Sequence, residues 1–301
     1  MASQESLAVR KMLKEIKDTP QAGFDLKAAR QGLETLSGSY SIAPDIKVEK
    51  VTVEGIPAEW VVAPNAVVNR VFLYLHGGAY IMGSLNTHRD LAAKLSRSTA
   101  TRVLVIDYRL APENPFPAAV EDAVKSYRWL VSSGIAPEQI IIGGDSAGGG
   151  LTLSTLLSLR ETGDTLPASA VLLSPWTDLE GTGESMITRA EIDPWLSPEA
   201  SRATPVMYIQ DMDPRDPRVS PIHADLSGLP SMLVHVGNDE ILLDDSVRLV
   251  ERARAAGVDV TLKVWEDMWH VFQSFPTPEA QQAVDEIGTY VVQKLDQLIS
   301  K

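Results

Sequence analysis

The 301-residue chain contains no cysteine. This absence excludes disulfide bonds, thiolate metal sites and thiol nucleophiles, and it is typical of proteins in a reducing compartment. No stretch approaches the roughly 20 apolar residues of a membrane span, and residues 1–18 lack the uninterrupted apolar core of a signal peptide. We therefore expect a cytoplasmic protein with no stable membrane association.

Basic residues are also scarce. The 27 Lys and Arg residues face 40 Asp and Glu residues, so the formal net charge is −13. A surface this acidic repels phosphate backbones, which argues against nucleic acid as a partner. With 44% hydrophobic and 22% charged residues, the chain has the balance of an ordinary globular protein with a sizeable core.

Eight short runs of β-branched and apolar residues predict strands. The first two alternate apolar and polar residues, as antiparallel strands with one wet face do. The later runs are almost continuously apolar, as in strands that helices cover on both faces. The predicted strands are Lys47–Val53, Ile56–Val62, Arg70–Leu75, Arg102–Asp107, Gln139–Ile142, Ser169–Leu173, Ser231–Val236 and Val260–Trp265.

Helical patterns separate the later runs. This alternation predicts an α/β fold with a mainly parallel, doubly wound sheet. In such sheets the site lies beyond the carboxyl ends of the strands. The predicted helices are Arg89–Ser98, Ala118–Ser132, Ala147–Glu161, Asp244–Ala256 and Pro278–Leu298.

A G-x-S-x-G segment, GDSAG at residues 144–148, stands between a predicted strand and an apolar helix. This setting exposes a serine on a sharp turn at a helix N-terminus, where the free N–H groups favour developing negative charge. Five glycines between residues 143 and 150 raise the alternative of a phosphate loop, but such a loop needs Gly-Lys-Ser/Thr and no lysine is near. The pattern predicts Ser146 as a nucleophile.

A second glycine segment, HGGAY at residues 76–80, follows the predicted strand Arg70–Leu75. Acyl transfer creates a tetrahedral oxyanion, which N–H groups fixed in advance stabilise efficiently. Glycines let a backbone approach the substrate carbonyl closely. We expect this segment, including Gly77, to form an oxyanion hole together with the N–H of Ala147, which follows the nucleophile.

The general base is found by elimination among five histidines. The order in α/β-hydrolases is Ser, acid, His, and two histidines precede Ser146. His223 lies in a proline-rich segment, and His235 lies inside an apolar strand, where a packed core histidine is expected. His270 follows the last strand, where a returning base should stand.

The acid should lie in the turn after the strand Ser231–Val236. Asp239 and Glu240 both qualify by position, and the residues alone leave the choice open. Asp244 and Asp245 look better suited to cap the N-terminus of the helix that follows.

Five segments in order carry a resemblance to a known family: HGGAY (76–80), DYRLAPENPFPAA (107–119), GDSAGG (144–149), SPWTDL (174–179) and MWHVF (268–272). With them the chain resembles, over nearly its whole length, the hormone-sensitive-lipase-like family IV of bacterial carboxylesterases. The resemblance implies the α/β-hydrolase fold, with an eight-stranded mainly parallel sheet. It also implies a helical cap from residues 1–40 and 181–221 over a core of 41–180 and 222–301.

The family's acid motif, D-x-L-x-D-E, favours Glu240 as the acid. With Glu240 in the first position, Leu242, Asp244 and Asp245 fall where leucine and acidic residues are expected. Asp239 stays the alternative.

The resemblance also implies oxyanion donors at Gly78, Ala79 and Ala147. Ala79 stands where a third glycine is usual, so its methyl group should narrow the acyl side. Candidate pocket-lining residues are Tyr80, Trp195 and Met207, for which burial in the core is the alternative.

The expected function is hydrolysis of small-molecule esters with short- to medium-chain acyl groups, through an acyl-enzyme and without a metal or cofactor. Lactonase, amidase or deacetylase activity would use the same triad. A non-catalytic ligand receptor, as the plant gibberellin receptors are, is a further alternative, which predicts a lost catalytic residue. Family relatives suggest a homodimer formed through the last strand, Val260–Trp265.

Overall fold

An eight-stranded sheet forms the centre of the molecule. The structure, a computed structural model, describes residues 2–19, 23–37 and 41–299. The strands follow the order β1-β2-β4-β3-β5-β6-β7-β8, with antiparallel β1–β2 and β2–β4 pairs and parallel pairs elsewhere. Their bounds are β1 Lys47–Val53, β2 Ile56–Val62, β3 Val67–Leu75, β4 Thr101–Ile106, β5 Ile140–Asp145, β6 Ser169–Leu173, β7 Ser231–Gly237 and β8 Val260–Trp265. All eight predicted strands are confirmed.

Strand β5 is longer than its pattern indicated. It continues through two glycines, because Gly143 pairs with Tyr74 and Gly144 with Leu75 on β3. Pairing with both neighbouring strands outweighs the low strand propensity of glycine. The extension carries β5 to Asp145, so the nucleophile turn starts directly at the end of the strand.

Helices cover both faces of the sheet, as the apolar strands predicted. The helices of the described chain are α1 Gln4–Lys17, α2 Leu26–Ser37, α3 Leu85–Thr99, α4 Ala118–Ser132, α5 Ala147–Glu161, α6 Ser185–Thr188, α7 Pro198–Ala203, α8 Pro205–Ile209, α9 Leu243–Ala255 and α10 Pro278–Ile299. Helices α4, α5 and α9 pack with one set of strand side chains, which includes Leu73 and Leu75. Helices α3 and α10 pack with the alternate set, which includes Phe72 and Tyr74.

Two parts of the chain lie outside this layered core and meet each other. Helix α1 donates from Lys17 to the main-chain carbonyls of Ala190 and Asp193, at 2.9 and 2.7 Å. It also donates from Arg10 to the carbonyl of Ile192 at 2.9 Å. The N-terminal helix and the segment 181–221 are therefore in direct contact, as two parts of one cap would be. Residues 1, 20–22 and 38–40 of the predicted cap, and residues 300 and 301 of the predicted core, lie outside the described residues.

The predicted capping role of two aspartates is wrong. Helix α9 begins at Leu243, so Asp244 and Asp245 lie in its first turn instead of before it. Their carboxylates accept backbone N–H groups of other segments. Asp244 accepts that of Ser185, and Asp245 accepts those of Thr177 and Asp178. They join α9 to the loop after β6.

No helix among the described residues is both long and apolar enough to span a bilayer.

Candidate active site

The turn after β5 is strained in the way a nucleophile turn requires. Ser146 has φ 53° and ψ −121°, a conformation that L-residues rarely adopt. Its N–H donates to the carbonyl of Leu173 at 2.8 Å. A Cβ atom at Gly144 or Gly148 would clash with the carbonyl oxygen of Leu75 on β3. The predicted strand–turn–helix setting is therefore present, and Ser146 is its half-buried apex.

One predicted oxyanion donor is already engaged. The N–H of Gly77 donates to the Asp145 carboxylate at 3.0 Å, and a single N–H cannot serve an oxyanion as well. The role of Gly77 as an oxyanion donor stays a prediction, which this bond disfavours. The same carboxylate accepts from the Tyr74 hydroxyl at 2.6 Å and lies 3.4 Å from Nε2 of His88. Burial raises the pKa of Asp145, but His88 and Tyr74 lower it by a larger amount. The net pKa of Asp145 is therefore below its ordinary value.

The other predicted donors are free to act. In the described chain, the N–H groups of Gly78, Ala79 and Ala147 donate to no protein acceptor. Gly78 and Ala79 have φ values of 117° and 54°, so the backbone turns sharply here after β3. Ala147 is the first residue of α5, where a free N–H and the helix dipole point at the site. These three amides form a candidate oxyanion hole.

The acid and the base meet directly. Nδ1 of His270 lies 3.0 Å from Oε1 of Glu240, whose side chain is fully buried. The other oxygen of Glu240 accepts the N–H of Gly237 at 2.9 Å and the Ser174 hydroxyl at 2.8 Å. Ser174 Oγ also accepts the N–H of Val271 at 3.2 Å. Glu240 is thus held at both oxygens, and Nε2 of His270 is left for the substrate side.

Electrostatics favour the charged form of this histidine. Burial lowers the pKa of His270, but the adjacent Glu240 raises it by charge and hydrogen bonding, and Asp193 and Asp145 raise it further. The net pKa is higher than the ordinary 6.5. An imidazolium formed during proton transfer is therefore stabilised in this site.

The alternative acid points away. Oδ2 of Asp239 lies 2.7 Å from the guanidinium of Arg10 on α1, in a partly buried ion pair. Arg10 also donates to the main-chain carbonyls of Asp267 and Ile192. Of the two candidate carboxylates, only that of Glu240 is hydrogen-bonded to His270.

The loop after β6 brings the nucleophile turn and the acid–base pair together. The N–H of Trp176 donates to the carbonyl of Ser146 at 2.9 Å, while Ser174 of the same loop bonds Glu240. In the part of the chain that the structure describes, Ser146 Oγ and His270 Nε2 form no hydrogen bond. Such bonds often tighten only when substrate is bound.

The three predicted pocket residues have different surroundings. The Trp195 ring meets the His270 ring edge-on, with centroids 6.1 Å apart. Tyr80 is 2% exposed and stacks flat on Tyr208, with centroids 3.8 Å apart. Met207 is partly buried against the same core cluster. Trp195 therefore lies beside the base, and a pocket-lining role for Tyr80 and Met207 stays a prediction.

Sequence reasoning missed three residues of this site. Ser174 opens the SPWTDL segment and Asp145 stands inside GDSAG, but each had been interpreted only as part of a motif. Asp193, discussed below, precedes Pro194 in a proline-rich segment and carried no motif. An aspartate or serine within a motif is a signal for such hydrogen bonds, because short polar side chains readily bond nearby backbone.

A group able to offer metal ligands occurs once in the described residues. One ligand atom each of Asp178, Glu180 and His223 lie within 4.8 Å of one another. Asp178 already bonds the guanidinium of Arg248 at 3.0 Å. One member of the group, Asp178, is therefore already paired with a cation. His235, on β7, is the buried core histidine that its strand predicted.

Comparison with known proteins identifies the family. A family model described as the alpha/beta hydrolase fold matches residues 72–274. An acetyl-hydrolase of Streptomyces hygroscopicus is 41% identical over 256 residues, 84% of each chain. An esterase of Acinetobacter venetianus is 40% identical over 283 residues, 93% of each chain. A crystal structure of an esterase from the bacterial hormone-sensitive lipase family is 47% identical, with a TM-score of 0.95 over 98% of this chain and 99% of that one.

This chain belongs to the bacterial hormone-sensitive lipase family of α/β-hydrolases. The resemblance seen in the five sequence segments is confirmed, and so is the predicted fold class. The predicted enzyme class, a carboxylic ester hydrolase, is confirmed with the family.

Proposed function

We propose that this carboxylic ester hydrolase cleaves esters of short- to medium-chain acids with Ser146, His270 and Glu240 as its catalytic triad. The observation that carries the proposal is the 3.0 Å contact between His270 and Glu240. It lies beside a strained serine turn and three free backbone N–H groups. Serine, base and acid are all present, which disfavours a non-catalytic receptor.

The proposed reaction proceeds through an acyl-enzyme. Ser146 Oγ attacks the ester carbonyl carbon while Nε2 of His270 takes the hydroxyl proton. The oxyanion accepts hydrogen bonds from the N–H groups of Gly78, Ala79 and Ala147. The tetrahedral intermediate collapses, the alkoxy group leaves, and His270 gives it the proton. His270 then deprotonates a water, which attacks the acyl carbon and releases the acid and the free serine.

Two features support small acyl groups. The relative from Streptomyces hygroscopicus is named an acetyl-hydrolase. In this chain, the Ala79 methyl group lies in the proposed oxyanion loop, and the bulky Trp195 ring lies beside the base. Both side chains reduce the space near the scissile bond, so long acyl chains should react more slowly. Lactones, amides and acetylated sugars pass through the same kind of tetrahedral intermediate and are the substrates to compare.

The experiment uses p-nitrophenyl esters from acetate to palmitate with the wild-type chain and Ser146→Ala. We expect kcat/KM to be highest for acetate to hexanoate and to decline beyond. The S146A variant should lose activity by a factor on the order of 10⁴ or more. A serine-reactive phosphonate should label the wild-type chain and leave S146A unlabelled. Substantial turnover by S146A would overturn the proposal.

Pairing of two chains along β8 stays a prediction. It is supported by the sheet order, in which β8 is an edge strand with β7 as its neighbour on one side. Light scattering at several protein concentrations would measure it.

A further inference from the structure

A buried carboxylate outside the catalytic motifs, that of Asp193 in the segment 181–221, is hydrogen-bonded to the residue that follows the acid Glu240. Asp193 is 1% exposed. Its Oδ1 accepts the N–H groups of Trp195 and Leu196 at 2.8 and 2.9 Å, as in a local turn. Its Oδ2 accepts the N–H of Ile241 at 2.9 Å, across 48 residues of sequence. A local turn would need only the bonds to Trp195 and Leu196, so the bond to Ile241 serves a different purpose.

The two oxygens of Asp193 hold two different parts of the site. Ile241 directly follows Glu240, so its bond to Oδ2 fixes the peptide unit that leaves the acid. The other oxygen, Oδ1, accepts the backbone N–H of Trp195. The ring of Trp195 lies edge-on to the His270 ring, with the two ring centroids 6.1 Å apart. One carboxylate therefore positions both the acid and the ring that contacts the base.

The charge of this carboxylate is not cancelled by a cation. Among the described residues, Asp193 forms no ion pair. Lys17 of α1 donates instead to the main-chain carbonyl of Asp193 at 2.7 Å, and Arg10 pairs with Asp239. The negative charge is balanced only by three backbone N–H groups. It remains effective at short range in a buried site.

The charge acts on the base. Burial raises the pKa of Asp193, its three N–H bonds lower it, and nearby Glu240 adds to the rise. For His270, burial lowers the pKa, whereas Glu240, Asp193 and Asp145, in that order, raise it. These three carboxylates therefore act together to stabilise the imidazolium.

We propose that Asp193 is a positioning residue of the catalytic machinery, which orients the Glu240 turn and supplies a second negative charge beside the Glu240–His270 pair. The inference rests on the proposed triad. It links the segment 181–221, which carries no triad member, to proton transfer at the base. Loss of Asp193 should therefore change the chemistry of His270 as well as the stability of the chain.

The experiment compares Asp193→Asn, Asp193→Glu and the control Asp213→Asn. D193N keeps the shape but removes the charge and one acceptor oxygen. D193E keeps the charge but displaces the carboxylate by one methylene. Asp213 lies in the same segment, and within the described residues its side chain bonds only the local N–H of Arg215 at 2.9 Å. D213N therefore matches the charge change without touching the site. The readouts are the pH profile of kcat/KM, kcat and KM separately, and the number of sites that a phosphonate titrates.

For D193N we expect kcat per titrated site to fall roughly 10-fold or more, because small displacements at a reacting centre are costly. KM should change little, and the acid limb of kcat/KM should move to lower pH because the imidazolium has lost one stabilising charge. D193E should keep the wild-type acid limb with a reduced kcat. D213N should match the wild type throughout.

Two results would overturn the inference. One is a D193N variant in which the acid limb of the kcat/KM profile does not move, which would mean that Asp193 only stabilises the fold. The other is a D193E variant with full kcat, which would mean that the carboxylate's position does not matter. The D193E result stands even where D193N yields too little folded protein. If S146A is inactive and D193N behaves like D213N, this inference alone fails. If S146A stays active, the proposed triad fails first.

Discussion

The two halves of the site are held in different ways. The nucleophile half, residues 76–80 and 144–148, follows the adjacent strands β3 and β5, and the buried Asp145 joins its two segments from within. The acid–base half, residues 237–245 and 266–271, follows β7 and β8 at one edge of the sheet. It accepts hydrogen bonds from Arg10 of α1 and donates one, from the N–H of Ile241, to Asp193 of the segment 181–221.

This difference assigns separate consequences to mutations in each half. The nucleophile half is anchored by β3, β5 and Asp145, although the Tyr80 ring also stacks on Tyr208 of the segment 181–221. Damage to this anchor should lower stability and oxyanion binding together. The acid–base half depends on side chains that are distant in sequence, such as Arg10 and Asp193. Changes there should affect proton transfer while the core stays folded.

The largest effect should come from the acid itself. Glu240→Gln removes the charge that orients His270 and stabilises its imidazolium, and we expect kcat/KM for p-nitrophenyl butyrate to fall by about 10³ to 10⁴. Asp239→Asn is the matched control, since it makes the same charge change one residue earlier. It should cost only a few-fold, through the weakened Arg10 pair. A larger loss in D239N than in E240Q would show that the acid has been assigned to the wrong residue.

In the nucleophile half, Asp145→Ala should show the coupled loss. It leaves the buried Tyr74 hydroxyl and the Gly77 N–H without their acceptor, at about 1–3 kcal/mol for each group. We expect the free energy of unfolding to drop by about 2–5 kcal/mol. We also expect kcat to fall roughly 10- to 100-fold because the oxyanion backbone loosens.

Denaturant titration and steady-state kinetics measure the two losses in D145A. The control is Asp164→Ala, which removes an exposed pair with Arg128 and should cost less than about 1 kcal/mol with unchanged kcat. A D145A chain of wild-type stability would contradict the description of the nucleophile half as anchored in the core.

The same contrast explains what the sequence could predict. The nucleophile half is local: a strand, a tight turn and a helix follow one another, so glycine positions and apolar runs were enough to locate Ser146. The strands were predictable for the same reason, since alternation and continuous apolar runs report burial directly.

The acid–base half is assembled from separate segments, and that limited the prediction. Asp239 and Glu240 are adjacent carboxylates, and their roles are separated only by contacts with Arg10 and His270, far away in sequence. The family motif favoured the residue that contacts the base, whereas the residues alone left both open. The Gly77 N–H was predicted to be a donor to the oxyanion, because the sequence does not show that Asp145, at the end of the neighbouring strand β5, accepts it.

A smaller effect is expected at Arg10, which joins α1 to the acid–base half. Arg10→Ala removes one partly buried ion pair and two bonds to main-chain carbonyls. We expect the free energy of unfolding to fall by about 1–2 kcal/mol and kcat to fall a few-fold. Lys11→Ala on the same helix is the control, because the side chain of Lys11 is 80% exposed. Combining R10A with D239N should cost less than the sum of the two, and strict additivity would show that the pair does not couple.

The smallest effect on catalysis is expected at Asp245, which should instead make the stability of the chain depend on pH. Burial raises the pKa of Asp245 to about 7. The N–H bonds that its carboxylate accepts from Thr177 and Asp178 lower the pKa, but by less than burial raises it. Between about pH 4 and this value, the folded chain keeps a proton that the unfolded chain has lost. Folding takes up that proton, so the stability contribution of Asp245 is full below about pH 4 and is lost as pH rises through about 7.

Asp245→Asn removes this titration while keeping an acceptor oxygen for the backbone. The free energy of unfolding of D245N, minus that of the wild type, should therefore increase from pH 5 to pH 7 and level off above pH 8. Denaturant titrations at each pH, with m-values confirming the same extent of unfolding, give this difference directly. A difference that stays flat across the interval would mean that Asp245 is already ionised in the folded chain. The kinetics of D245N should change far less than those of E240Q, because in the described chain the Asp245 side chain bonds the loop after β6 and is not hydrogen-bonded to Glu240 or His270.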